Sequence, residues 1–119
     1  MSKVLVVDDS KTDIFQFREM LEKLGYEVIA AENDRDGVAM AKQEQPDVLL
    51  MDIVMPDMNG FQATRQITRA AETKHIPVII VSSKDQETDK VWSERQGAKA
   101  YLTKPVNLQE LSTVMQSFL

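Results

Sequence analysis

Val4-Leu5-Val6-Val7-Asp8-Asp9-Ser10 is the stretch that decides the fold. Four apolar residues, most of them β-branched, run together without alternating with polar ones. Such a run reads as a strand covered on both faces, as in a parallel sheet. Two carboxylates come immediately after it, and an open parallel sheet binds its ligands beyond the carboxyl ends of its strands. Ser10 then offers an N-cap for a helix.

The same reading applies outward along the chain. Val28–Ala31, Val48–Met51, Val78–Val81 and Ala100–Leu102 are four more short apolar runs. Between them lie helical patterns. Ile14, Phe17, Leu21 and Leu24 step by 3, 4 and 3, and Leu108, Leu111, Met115 and Phe118 repeat that spacing. Both are apolar stripes at the helix period. The stretches 33–44, 60–71 and 85–96 are weaker, and the last has only Val91 and Trp92 as large nonpolar residues. Gly25 and Gly97 stand where helix ends need a left-handed residue. Pro46 and Pro77 precede strands, Asn59-Gly60 predicts a turn, and Asn107 is a second N-cap. Strands alternating with helices predict a doubly wound α/β fold of the (βα)5 kind.

Composition excludes several classes. A chain of 119 residues is one domain by length. Area scaling predicts a folded surface of roughly 6,500 Å² against about 20,000 Å² unfolded, so one core suffices. With 14 basic and 19 acidic residues, the formal charge of −5 argues against a nucleic-acid binder. It suits a cation site or a basic protein partner. No cysteine means no disulfide, no thiolate metal site and no cysteine nucleophile. The apolar runs are too short for a signal peptide or a membrane span, so the cytoplasm is the expected compartment. The four glycines form no G-x-G-x-x-G and no P-loop, which disfavours a nucleotide-binding domain.

The residues that end the strands carry the chemistry. Asp8 and Asp9 come after the first run, Asp52 after the third, Ser82 after the fourth, and Thr103 and Lys104 after the fifth. Any one of these acids alone reads as a cap or turn residue. Together they place three carboxylates, a hydroxyl and an amine on one edge. Two carboxylates about 5 Å apart repel by roughly 3 kcal/mol at an effective dielectric of 20. Lys104 supplies one compensating charge, and a hard divalent cation such as Mg²⁺ would supply two. Mg²⁺ beside a carboxylate and a lysine is a phosphoryl-transfer arrangement. A carboxylate can be the nucleophile there, and Asp52, on the central strand, is the best placed.

These residues resemble the receiver domain of two-component response regulators. The motifs are Val6-Val7-Asp8-Asp9-Ser10, Met51-Asp52-Ile53-Val54-Met55-Pro56-Asp57-Met58-Asn59-Gly60, Pro77-Val78-Ile79-Ile80-Val81-Ser82 and Tyr101-Leu102-Thr103-Lys104-Pro105. The resemblance implies a CheY-like, flavodoxin-like three-layer sandwich with a parallel sheet in the order 2-1-3-4-5. It implies one receiver domain over residues 1–119 with no output domain. Asp52 resembles the phosphoacceptor, and Asp8 and Asp9 the Mg²⁺-binding pair, with the Val54 backbone carbonyl as a further metal ligand. Ser82 and Lys104 resemble the switch hydroxyl and the phosphate-binding lysine, Tyr101 the switch aromatic, and Lys104-Pro105 a cis peptide. Lys84 and Val54 take positions that flank the phosphate and tune its lifetime. Val106 stands where the family often has phenylalanine.

The implied phosphodonor is a histidine kinase, and the implied output is a changed face of helix four, strand five and helix five. The stretches 57–66 and 83–92 are similar to stand-alone PilH-type regulators of pilus chemosensory systems. That implies a downstream partner in the twitching-motility machinery, and a monomer whose dimerisation on phosphorylation is left open. Trp92 reads either as a shelf packed across the helix edge or as an exposed partner anchor. Tyr101 reads either as a half-buried strand aromatic or as the switch. His75 is expected to be an exposed loop residue, and Met55 and Met58 to lie in a loop beside Asp52.

Other functions compete. A phosphorylation-independent interaction module would usually lack one of Asp8, Asp9, Asp52, Ser82 and Lys104. A phosphate sink for a shared kinase would retain them all. A small phosphatase with an aspartyl intermediate would carry a second acid at position 54, where this chain has valine.

Overall fold

Each of the five apolar runs forms a strand in the computed structural model, which describes residues 1–55 and 58–119. Pro56 and Asp57 of the second motif lie outside the described residues. The strands are β1 (Lys3–Val7), β2 (Glu27–Ala31), β3 (Val48–Met51), β4 (Val78–Ser82) and β5 (Ala100–Thr103). They pair in parallel in the order β2-β1-β3-β4-β5, as the family resemblance predicts. The fold is therefore the doubly wound, flavodoxin-like (βα)5 arrangement. The accessible surface is 6531 Å², close to the value expected from chain length.

The helices are α1 (Lys11–Lys23), α2 (Asp34–Glu44), α3 (Gly60–Arg69), α4 (Glu87–Arg95) and α5 (Leu108–Phe118). Alternate strand residues feed two cores. Val4, Val6, Leu50, Ile79 and Val81 meet α1 and α5 through Ile14, Phe17, Leu21, Leu111 and Met115. Leu5, Val7, Leu49, Met51 and Ile80 meet α2 and α3 on the other face. Val106, smaller than the usual phenylalanine, still packs against the α1–α5 side.

Four helices begin alike. The side chains of Ser10, Asn33, Asn59 and Asn107 each accept the backbone N–H three residues on, which satisfies an otherwise orphaned donor. Asn59-Gly60, predicted as a turn, is instead the start of α3. A Cβ on Gly60 would lie 2.5 Å from the Asp52 carbonyl oxygen, so only glycine lets α3 begin against the central strand. Gly25 and Gly97 are left-handed as expected, at φ +93° and +101°. Gln45 is left-handed too, without being glycine, and its side-chain amide donates to carbonyls of Ala41, Lys42 and Glu72.

A short antiparallel pairing, Val54 with Asn59 and Met55 with Met58, was not anticipated. It places the backbones of Met55 and Met58 in paired segments rather than in a free loop. His75 is exposed. No helix among the described residues is long and apolar enough to cross a membrane.

Candidate functional site

The sheet register builds the rim. The pairing continues one residue past three strands: the N–H groups of Asp8, Asp52 and Lys104 donate to the carbonyls of Ala31, Val7 and Ser82 at 3.1, 2.9 and 2.8 Å. Neighbouring strands therefore release their first polar residues at the same level. One carboxylate oxygen from each of Asp8, Asp9 and Asp52 lies within 4.8 Å of the others. Asp8 and Asp52 are buried and Asp9 is exposed.

Each buried acid is held by its own loop. Asp8 Oδ1 accepts the Ser10 N–H at 2.9 Å, and Asp52 Oδ1 accepts the Val54 N–H at 3.0 Å. Lys104 Nζ lies 2.8 Å from Asp8 Oδ2 and 3.6 Å from Asp52 Oδ2. It also donates to Asp13 Oδ2 at 2.8 Å. Asp13 does not stand out in the sequence, because nothing in its neighbourhood marks it apart from an ordinary first-turn acid. The available signal is its helical position, one turn behind Asp9 on the same rim.

The electrostatics arise from burial and crowding. Burial pushes the Asp52 carboxyl up from 3.8 to about 6, with the negative charges of Asp8 and Asp9 adding to it. The Val54 N–H and the Lys104 ammonium oppose that rise. Burial alone would lower Lys104. Its hydrogen bonds to Asp13 and Asp8 and the charge of Asp52 outweigh burial and hold it above its ordinary value. Three acids thus share the Lys104 ammonium, with Asp9 beside them, which leaves the rim short of positive charge.

That shortage and the donor set fit Mg²⁺. The donors are hard carboxylate oxygens, the kind Mg²⁺ prefers, gathered within 4.8 Å of one another. Asp8, Asp9 and Asp52 are the side chains that would hold the ion.

The Ser82 hydroxyl is buried beside the rim and accepts the Lys84 N–H at 3.1 Å. The Tyr101 hydroxyl in turn donates to the Lys84 carbonyl at 2.6 Å. Burial raises the Tyr101 phenol, and the negative charges of Asp89, Asp52 and Asp85 add to the rise, against a lowering influence of the nearby Ser82 hydroxyl. A chain of contacts therefore runs from Ser82 through the backbone of Lys84 to Tyr101 on the α4 side. The Lys104–Pro105 peptide is cis.

Trp92 is exposed rather than shelved, at 54%, with the Arg95 guanidinium 5.6 Å from its ring centroid. Val91 is exposed as well.

Comparison with known proteins agrees with this fold. Residues 4–116 match the model of the response regulator receiver domain. Protein PilH of Pseudomonas aeruginosa is 60% identical over 119 residues, all of this chain and 98% of that protein. The structure of the Vibrio cholerae chemotaxis protein CheY4 superposes with a TM-score of 0.93 at 31% identity, covering all of this chain and 99% of that one. The receiver domain of the sensor histidine kinase PA1611 from Pseudomonas aeruginosa, solved with magnesium in its active-site cleft, has a TM-score of 0.90 at 27% identity. That match covers 98% of this chain and 96% of the other.

Proposed function

The chain belongs to the response regulator receiver family, a family of signalling modules rather than classical enzymes, and on that premise we propose a phosphorylation switch centred on Asp52. In this reading residues 1–119 act as one receiver unit in the cytoplasm. The single observation that carries the reading is the buried Asp52 carboxylate, within 4.8 Å of Asp8 and Asp9 and 3.6 Å from Lys104.

Phosphoryl transfer needs little covalent help and much charge stabilisation. Asp52 accepts the phosphoryl group from a phosphohistidine of a histidine kinase. A carboxylate oxygen of Asp52 bonds to phosphorus as the phosphorus–nitrogen bond breaks, and the imidazole leaves with a proton from solvent. Asp8, Asp9, Asp52 and the Val54 carbonyl would hold Mg²⁺, which would supply positive charge beside the transferring group. Lys104 donates to one phosphoryl oxygen and Ser82 to another. Val54 and Lys84 flank the phosphate and set how freely water reaches it.

When the Ser82 hydroxyl turns toward the phosphoryl group, it gives up the Lys84 N–H. The Lys84 loop then loosens its hold on the Tyr101 hydroxyl, and the α4–β5–α5 face carrying Tyr101 and Trp92 is remodelled for a protein partner. A swing from 1:99 to 99:1 takes about 5.5 kcal/mol of differential interaction, and a dianion with several charge-assisted bonds supplies part of it. The likeness to PilH supports a partner in a pilus or twitching-motility system, and in this reading the resting chain is a monomer.

The test is incubation with acetyl phosphate, with and without Mg²⁺, monitored by intact mass and Trp92 fluorescence. The expected result is a Mg²⁺-dependent gain of one phosphoryl group that Asp52→Ala abolishes. No adduct with acetyl phosphate or beryllofluoride would instead favour a constitutive interaction module.

A further inference from the structure

Lys104 has three N–H donors, and the resting structure does not spend them where the proposed chemistry needs them. Two short contacts, both 2.8 Å, go to Asp8 and Asp13, while Asp52 is at 3.6 Å, beyond a good hydrogen bond. With its ammonium anchored at 2.8 Å by two carboxylates, Lys104 has one N–H left for a phosphoryl group on Asp52, and it can move closer to that group only as a short contact stretches. Asp8 has a second claim on it, because a metal bound at the rim would draw on that carboxylate. Asp13 has no such claim and is left as the competitor.

Its placement suits that part. The backbone of Asp13 is fixed by the helix cap, since its N–H donates to Ser10 Oγ at 3.2 Å. Its side chain is 33% exposed, against 3% for Asp8 and 6% for Asp52. It therefore stands at the mouth of the site rather than in its floor. Asp13 and Lys104 also line a cleft of about 310 Å³ together with Phe17, Pro105 and Val106, so the lysine has open space beside it. A carboxylate at the mouth further repels an approaching anionic phosphodonor.

We propose that Asp13 is a positioning residue that tethers Lys104 away from Asp52 in the resting chain and thereby restrains phosphoryl acceptance. Asp13 does not touch the transferred group; it acts through Lys104. This inference rests on the phosphorylation-switch reading and adds a brake to the same site.

Asp13→Asn removes the charge and keeps the shape. With saturating Mg²⁺ and acetyl phosphate, it is expected to form the Asp52 adduct about tenfold faster than the unaltered chain, the factor that corresponds to about 1.4 kcal/mol. Asp13→Glu keeps a carboxylate within reach and is expected to stay within about twofold of the unaltered rate. Asp13→Ser covers the case in which the asparagine variant folds poorly, and it should also be faster. A purely structural role would lower thermal stability without raising the rate. A second readout needs no phosphorylation: the Lys104 ammonium signal in ¹H–¹⁵N spectra should be protected from exchange in the unaltered chain and in Asp13→Glu, and lost in Asp13→Asn. If the unaltered chain takes up phosphate and neither neutral variant is faster, this inference alone falls. If the unaltered chain takes up none, the switch reading falls and the brake with it.

Discussion

Helices α1 and α4 flank the same rim and are held in opposite ways. Helix α1 buries Ile14, Phe17 and Leu21 against the sheet and is capped by Ser10. Helix α4 buries only Ser93 and has no side-chain cap, and its two large apolar residues, Val91 and Trp92, face outward. An apolar stripe fixes a helix, and its absence leaves local opening cheap. The α1 end of the site is thus a rigid wall that presents Asp13, while the α4 end rests on β5 and the Lys84–Tyr101 contact. A switch needs such a pair: one side that does not move, and one with little to hold it.

The largest expected effect tests the rigid side. Leu21→Ala should lower stability in urea unfolding by about 3 kcal/mol, the usual range for a buried leucine. A loss under about 1 kcal/mol, below that range, would mean that α1 is not the anchor of the site.

The next effect comes from the acids that the rigid side supports. The folded state raises the Asp52 carboxyl from 3.8 to about 6, so the folded chain binds its proton more tightly than the unfolded one. Without Mg²⁺, Asp52 therefore opposes folding fully above about pH 6, and this penalty fades as pH falls toward 3.8. Asp52→Asn should stabilise the metal-free chain at pH 7 by on the order of 2 kcal/mol. The gain should shrink between about pH 6 and pH 4, which thermal melts across that window would reveal.

Smaller effects test the loosely held side. Tyr101→Phe removes the donor to Lys84 and should cost about 1 kcal/mol. It should leave the rate of adduct formation nearly unchanged while shrinking the Trp92 fluorescence change. An undiminished change would remove Tyr101 from the route to α4. Trp92→Ala should alter stability by less than about 0.5 kcal/mol, because an exposed side chain packs against little. A larger loss would mean that α4 leans on its tryptophan after all.

Much of this was legible from residues near one another in sequence. Ser10 and Asn107 announced helix starts, because an N-cap is a contact over three residues. Gly25 and Gly97 announced helix ends, because only the local backbone decides where a left-handed residue is needed. Asn59-Gly60 misled, since the pair that commonly makes a turn here makes a cap and a close approach to Asp52. The five strands and the acidic rim came from short apolar runs and the polar residues directly after them. Asp13 stayed hidden because its partner lies 91 positions away. Trp92 stayed ambiguous because both readings satisfy the same helix period.

By itself the sequence determined the order of strands and helices, the buried stripes of α1 and α5, and the acids, hydroxyl and amine that directly follow the strands. These are matters of period, capping and chain order, which act over a few residues. Only the tertiary structure decided which carboxylates Lys104 touches, how far burial raises Asp52, and that Ser82 reaches Tyr101 through the backbone of Lys84. Those depend on distances between segments remote in the chain, and such distances are set by packing the two faces of the sheet together.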